Sequence, residues 1–240
     1  MPEQLGGCMV DLKEWRRQRF GTGDDDVALI SLGEVASDAK LRHSYVGMLH
    51  DFYTKDVKKA ADGTVTRGGD MAERFQGQDA WTPTRASDDF EGYVAAQDAL
   101  AEPQPGRLRT HTSVMVNQSQ KQVVGEAWIR TPDTPMPITQ WGGHTHSLVR
   151  PSARGLGHGK AMLGLSMAKA HELGIDNVHV TVSNDNPASY RRFAAMVIDG
   201  RAKEVPGDPQ SGRRHYTIPT APYAAAMKPA APKATPNPQR

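Results

Sequence analysis

The stretch Arg154-Gly155-Leu156-Gly157-His158-Gly159-Lys160 decides the fold of this chain. It has three glycines in five positions and stands between an extended apolar segment and an amphipathic helix. Glycines at a strand-to-helix junction let backbone N–H groups converge in front of the helix, where the helix dipole also favours negative charge. The sequence therefore predicts an anion site, and phosphate is the usual occupant of such sites.

Two common phosphate-binding loops do not fit this stretch. A P-loop ends in Gly-Lys followed by Ser or Thr, whereas Lys160 is followed by Ala161, so the hydroxyl that binds Mg²⁺ is missing. A dinucleotide-binding loop belongs to an early βαβ unit, and no such unit carries this loop. An ordinary Gly-rich turn is the remaining alternative, and the flanking sequence decides against it.

The sequence on both sides predicts a fold that mixes strands and helices. The expected strands are 27–32, 112–116, 123–129, 145–149, 178–182 and 215–218, and the expected helices are 35–52, 90–100, 160–173 and 187–196. A polar turn joins the second strand to the third, which predicts an antiparallel hairpin. Residues 55–87 are polar with weak periodicity, which predicts an excursion over the surface or the active site.

These elements, in this order, resemble the GNAT superfamily of acyl-CoA-dependent N-acetyltransferases. The matching text runs from Val123 to Ile198 and includes the Arg-x-x-Gly-x-Gly loop, its helix and Asn186-Pro-Ala-Ser. A closer likeness is to a bacterial subgroup of predicted acetyltransferases, whose Gly-Gly-His and Val-Arg-Pro-Ser-x-Arg core is reproduced at 142–144 and 149–154. The resemblance implies one domain over residues 27–218 with an α/β (α+β) fold, in which helices flank a mixed, mostly antiparallel twisted sheet.

The resemblance also implies acetyl-CoA as the co-substrate. Its diphosphate would lie on backbone N–H groups at the positive end of the helix, with the guanidinium of Arg154 close by. The N–H of Leu148 or Val149 would contact the thioester carbonyl, and Asn186 would contact the pantetheine arm or cap its own helix. The expected cofactor-binding residues are Leu148, Val149, Arg154, Gly155, Leu156, Gly157, His158, Gly159, Lys160 and Asn186.

Acetylation of an amine needs a base for the amine and a proton for the departing thiolate. By the resemblance, His144 stands where relatives often carry a glutamate base, and an imidazole pKa of about 6.5 suits that task; a positioning or structural role is the alternative. Glu126 is the alternative base, unless it faces the surface. Relatives place a tyrosine acid seven residues after the asparagine, but Phe193 occupies that position here. Tyr190, one helical turn earlier, is therefore the expected acid, with Ser189 or water as alternatives.

A histidine pair raises the question of a metal. His144 and His146 are two residues apart, so both imidazoles point to one face of the strand. Cupin-like metal sites place a glutamate four residues further on, and this chain has Arg150 there. We therefore expect no metal.

Composition and the chain ends narrow the class of protein. The net charge is +2, and three cations lie in the final 22 residues, so the rest is nearly neutral and unlike a nucleic-acid binder. Cys8, the single cysteine, excludes an internal disulfide, and no apolar run reaches the ~18 residues that cross a bilayer, which indicates a cytoplasmic protein. Residues 1–26 are expected to be peripheral, and the Pro/Ala-rich residues 219–240 are expected to be a disordered tail.

The sequence therefore predicts an enzyme that moves an acetyl group from acetyl-CoA to a primary amine by direct attack in a ternary complex. The acceptor, a small molecule, peptide or protein, and the oligomeric state, including a homodimer, stay open. The alternative is a non-catalytic acyl-CoA-binding module that recruits a partner protein, which the missing tyrosine favours. Trp81, Trp128 and Trp141 are expected beside the acceptor cleft, unless Trp128 packs in the core.

Overall fold

The computed structural model describes residues 26–59, 63–67, 71, 80–103, 108–131, 138, 142–208 and 211–227. The N-terminal segment up to residue 25, Cys8, Trp141 and residues 228–240 lie outside these ranges. The strands are β1 (Val27–Ile30), β2 (Val57–Lys59), β3 (Val65–Arg67), β4 (Arg109–Asn117), β5 (Gln122–Thr131), β6 (Thr145–Val149), β7 (Asn177–Ser183), β8 (Lys203–Val205) and β9 (Arg213–Pro219). The helices are α1 (Leu32–Ser37), α2 (Ala39–Lys55), α3 (Pro83–Asp88), α4 (Phe90–Asp98), α5 (His158–Glu172), α6 (Pro187–Ile198) and α7 (Ala221–Met227).

Two antiparallel sheets form the centre of the molecule. One has the order β1-β4-β5-β6 and the other has the order β7-β9-β8, while β2 and β3 form a separate hairpin. The expected hairpin is present, with Val114 opposite Glu126. Within the described residues, one bridge, between Gly143 and Val180, joins the two sheets. The predicted α/β fold with a mostly antiparallel sheet and flanking helices is therefore confirmed, although the described strands form two sheets and pair only antiparallel.

Each face of the first sheet is covered by its own helices. Apolar side chains of α5, among them Met162 and Met167, form a core with Ala127 and Ile129 of β5. On the opposite face, α1, α2 and α4 pack on Val114 and Leu148. Side chains of one strand alternate between these cores, so the position of a residue along β5 decides which helices it meets. No helix in the described ranges has the length and hydrophobicity that a bilayer crossing requires.

Two expected boundaries were wrong. The helix expected at 35–52 is two helices, because the side chain of Asp38 accepts hydrogen bonds from the N–H groups of Lys40 and Leu41 and starts a new helix. The tail expected from residue 219 begins instead with α7, which packs on α5 and buries Tyr223 to 4% exposure. The hydroxyl of Thr220 holds its start by donating to the Ile175 carbonyl at 2.7 Å.

Candidate active site

The strands β6 and β7 meet at one end and separate toward the glycine loop. The N–H of His144 donates to the His179 carbonyl at 2.8 Å at the meeting point. Gly143 has φ +97°, and a Cβ there would lie 2.5 Å from the His179 carbonyl oxygen, so this approach requires glycine. Beyond it, the edge of β6 that faces away from β5 is open along the described residues.

Backbone alternation decides which β6 amide faces this open edge. The N–H of Arg150 donates to the Val124 carbonyl of β5 at 2.9 Å. In an antiparallel pair the two backbone groups of one residue point to one neighbour, and those of the next residue point away. Leu148 therefore bonds toward β5, while the N–H of Val149 faces the open edge. Of the two amides expected at the thioester, that of Val149 faces the open edge, whereas that of Leu148 points toward β5.

The glycine loop ends in a helix with an uncapped N-terminus. Gly157 is the N-cap of α5 with φ 84°, it makes no side-chain cap, and the first turn has no acidic residue. Among the described residues, the N–H groups of Gly155, Leu156, Gly157 and Gly159 have no acceptor. We call these four N–H groups the glycine cradle. The N–H of Lys160 instead donates to the Gly157 carbonyl at 2.9 Å, so this predicted amide is not part of the cradle. An anion at this point would meet several N–H groups and the helix dipole together.

The side chains next to the cradle differ in exposure. Leu156 is 64% exposed, whereas the side chain of His158, the first residue of α5, is buried. The His158 imidazole is therefore not exposed at the glycine loop.

Arg154, expected to add charge near the phosphates, is held by α2. Its Nη1 and Nη2 donate to the two carboxylate oxygens of Asp56 at 2.9 and 2.6 Å, and its Nε donates to the Val149 carbonyl at 3.2 Å. This bidentate ion pair with Asp56 already neutralises the positive charge of Arg154. Arg154 thus ties the loop to the end of α2 and to β6.

Asp51, within α2, anchors the Val-Arg-Pro-Ser segment. Arg150 Nε and Ser152 Oγ each donate to Asp51 Oδ2 at 2.6 Å, and Lys55 lies 2.8 Å from Oδ1. Burial alone would raise the pKa of Asp51, but the hydrogen bonds from Lys55, Ser152 and Arg150 outweigh it and lower the pKa to about 2. Sequence reasoning missed this residue, because Arg150 and Ser152 were known only as parts of the motif.

Replacing Asp51 by Asn should destabilise the fold by about 2 kcal/mol at pH 7, since its pKa falls from 3.8 to about 2 on folding. A lowered folded pKa stabilises the protein above about pH 4, and this contribution disappears as the pH falls toward 2. Urea unfolding of wild type and D51N between pH 7 and pH 2.5 should therefore show a difference that shrinks below pH 4. D88N, at an exposed acid of α3, is the control and should match wild type. A gap that stays constant down to pH 2.5 would contradict this assignment.

His144 is buried, and its ring accepts a hydrogen bond rather than offering a free acceptor. The backbone N–H of His179 donates to His144 Nδ1 at 2.9 Å. The neutral ring therefore carries its proton on Nε2. Burial, and after it the charge of His179, lower the pKa of His144 to about 4, so the ring is neutral at pH 7. In this state His144 can donate from Nε2 but has no free nitrogen that accepts a proton.

Glu126 does not face the surface; its side chain is fully buried on the α2 face of β5. Tyr45 of α2 donates to Oε2, and the indole N–H of Trp128 donates to Oε1. The Tyr45 hydroxyl lies 2.9 Å from that of Tyr93 in α4. The simple expectation for a strand glutamate was wrong because Glu126 lies on the inward side of the strand, where two donors satisfy a buried carboxylate.

Aromatic side chains surround this carboxylate. The His146 ring stacks on Trp128 with centroids 5.0 Å apart. Trp81 packs edge-on against Tyr93 at 5.4 Å. Within the described part of the chain, no three His, Cys, Asp or Glu side chains come together in a way that could hold a metal ion.

The residues of α6 are arranged differently from the expectation. Asn186 caps the helix by accepting from the Ser189 N–H at 3.0 Å. Tyr190 is 36% exposed and lies under the guanidinium of Arg214, 4.6 Å from the ring centroid. Phe193 stacks on Tyr216 at 5.1 Å. Both ring contacts are with β9, so the structure does not bring Tyr190 together with β6, Glu126 or His144.

Comparison with solved structures finds acetyltransferases at low similarity. A chimera of the spermidine N-acetyltransferase SpeG from Vibrio cholerae and hSSAT has a TM-score of 0.44 at 10% identity, covering 83% of this chain and 97% of that chain. The yncA structure from Salmonella typhimurium, solved with its cofactor acetyl-CoA, has a TM-score of 0.44 at 13% identity over 87% and 98%. Ribosomal-protein-alanine N-acetyltransferase from Brucella melitensis has 0.41 at 14% over 80% and 98%.

Sequence comparison identifies the family. No curated protein matches the chain. The sequence model described as the Acetyltransferase (GNAT) family matches residues 77–196, which is half of the chain and includes β4 to β7, the glycine loop and most of α6. The chain therefore belongs to the GNAT family of acetyltransferases, which use acetyl-CoA as their acetyl donor.

Proposed function

We propose that this protein transfers the acetyl group of acetyl-CoA to a primary amine by direct attack within a ternary complex. The observation that carries the proposal is the open edge of β6. The Val149 N–H faces this edge, the uncapped start of α5 follows β6 in the chain, and the buried Glu126 lies on β5 opposite Leu148. Acetyl-CoA supplies an activated thioester. The residues of the chain have to hold it, polarise its carbonyl and take a proton from the amine.

Each part of this task falls to a described residue. The N–H groups of Gly155, Leu156, Gly157 and Gly159 receive the diphosphate, and the Val149 N–H donates to the thioester oxygen.

Glu126 takes the proton from the amine, with its carboxylate oriented by Tyr45 and Trp128. His144 serves as a hydrogen-bond donor through its Nε2–H and does not act as the base. Because Tyr190 lies against Arg214, water supplies the proton to the departing thiolate.

The acceptor enters from the α2 and α4 face in this proposal. The indole N–H of Trp128 donates to Glu126, the Tyr93 hydroxyl lies beside that of Tyr45, and Trp81 packs on Tyr93. Aromatic faces of this kind attract an ammonium ion.

The second candidate is a non-catalytic acyl-CoA-binding module. It is favoured by Phe193 and Tyr190, since neither puts a phenol beside β6. The two candidates share the cradle and differ only in turnover.

The release of free coenzyme A thiol from acetyl-CoA tests the proposal directly. The protein is incubated with acetyl-CoA and a panel of polyamines, peptides with free N-termini and aminoglycosides, and thiol is followed with a colorimetric reagent. We expect many turnovers per enzyme with at least one amine. Cys8 contributes at most one equivalent of thiol, which a blank without amine removes. Tight binding of coenzyme A without turnover on any amine would favour the binding module.

A further inference from the structure

Arg192 of α6 has no partner among the described residues. No hydrogen bond or ion pair joins its guanidinium to any of them, although Arg201 pairs with Asp199 at 2.6 Å and Arg214 lies 3.4 Å from Glu204. Its side chain is partly buried, and this burial lowers the pKa of Arg192. A partly desolvated cation without a counter-ion is costly unless something else supplies the negative charge.

The guanidinium lies over the first turn of α5. A Cβ placed on Gly159, the second residue of that helix, would be 2.7 Å from Arg192 Nη2. Helix α6 therefore sends a cation across to the end of α5 where unbonded N–H groups already carry partial positive charge. Two positive features at one place repel each other, and an anion between them stabilises both.

The N-terminus of α5 differs from those of its neighbours. Five other helices carry a side-chain oxygen at the N-cap, and these caps are Ser31, Asp38, Thr82, Asp89 and Asn186. At α5 the cap is Gly157, which has no side chain, and the approaching side chain is an arginine. Both features leave the site short of negative charge.

The arginine of the loop does not fill this need. Arg154 gives both Nη groups to Asp56, so its charge is already matched. We propose that Arg192 binds the diphosphate of coenzyme A at the N-terminus of α5, in the role that the loop motif assigns to Arg154. This inference rests on the use of coenzyme A and is independent of the acceptor amine.

Calorimetric titration of R192M with coenzyme A and with dephospho-coenzyme A tests the assignment. R191M is the matched control, because Arg191 is exposed and its removal deletes the same charge from the same helix. We expect R192M to bind both ligands about 10- to 100-fold more weakly than wild type, and R191M to stay within about threefold. Equal losses with both ligands indicate contact with the diphosphate, whereas a loss confined to coenzyme A would place Arg192 at the 3′-phosphate and overturn the assignment.

A second variant separates the contact from general damage. G159A adds a methyl where the guanidinium now lies, so it should weaken binding in wild type but add little in the R192M background. Additive losses would contradict a shared site, and thermal unfolding without ligand checks that each variant folds. If R192M binds like R191M while wild type binds tightly, the role of Arg192 is wrong. If wild type does not bind coenzyme A at all, the proposed function fails and the assignment fails with it.

Discussion

Gly157→Glu should weaken the binding of coenzyme A by about 1000-fold or more. Gly157 has φ 84°, and a side chain in this left-handed conformation costs about 1–2 kcal/mol. The added carboxylate also places a negative charge where the N–H groups of Gly155, Leu156 and Gly159 converge, so it repels the diphosphate and competes with it for these donors. Isothermal titration with coenzyme A measures the loss.

The control for this substitution is Gly157→Asn. Asparagine tolerates the left-handed conformation and adds no charge, so G157N should bind within about tenfold of wild type. Thermal unfolding of both variants separates a folding defect from a binding defect. If folded G157E bound coenzyme A as wild type does, the cradle would not lie at the start of α5.

Glu126→Gln should lower kcat by about 100- to 10,000-fold, the range expected for loss of a general base. The change preserves shape, and an amide oxygen can still accept from Tyr45 or Trp128, so the fold and the affinity for coenzyme A should persist. Steady-state kinetics with the best amine, beside titration of coenzyme A, separate the loss of chemistry from the loss of binding.

His144→Gln is the comparison that distinguishes the two candidate bases. The glutamine oxygen can accept the His179 N–H that Nδ1 now accepts, so H144Q should lose less than about tenfold in kcat. Since the pKa of His144 is about 4, its titration lies below the pH 6–9 range, and the pH–rate profile of H144Q should keep the wild-type shape there. An inactive H144Q beside an active E126Q would return the role of base to His144.

Local pattern was sufficient for the parts of the fold that lie close together in sequence. The hairpin of β4 and β5, the strand Thr145–Val149 and the start of α5 within two residues followed from alternation, helical spacing and glycines. Helix α7 was missed because a Pro/Ala-rich segment has no amphipathic pattern of its own. It is stabilised by the burial of Tyr223 beside α5, a contact between distant parts of the chain.

The site was less predictable, because the chemical state of its residues depends on distant neighbours. The identity of His144 suggested a base, but an amide 35 residues away occupies its Nδ1. Arg154 matched the motif, but Asp56 holds it, and Arg192 was overlooked because nothing in the spacing of α6 indicates that residue 192 faces α5. The burial of Glu126 could not be predicted either, because it depends on which face of β5 points toward Tyr45. In each case the residue type was known in advance, and its partner was not.

Helix α2 has a geometric consequence for the reaction. It carries Tyr45, which orients Glu126, and Asp51, and Asp56 follows its last residue. The two aspartates anchor the two ends of the loop segment 150–154. Asp56 lies eleven positions after Tyr45, a distance of about 16 Å along a helix axis. In the proposed reaction, the helix therefore fixes the distance between the loop that would hold the phosphates of acetyl-CoA and the carboxylate that would deprotonate the amine. An insertion of one turn between Tyr45 and Asp51 would leave the contact of Tyr45 with Glu126 and the contacts of Asp51 and Asp56 with the loop each possible. It would shift one set of contacts relative to the other by about 5 Å along the helix.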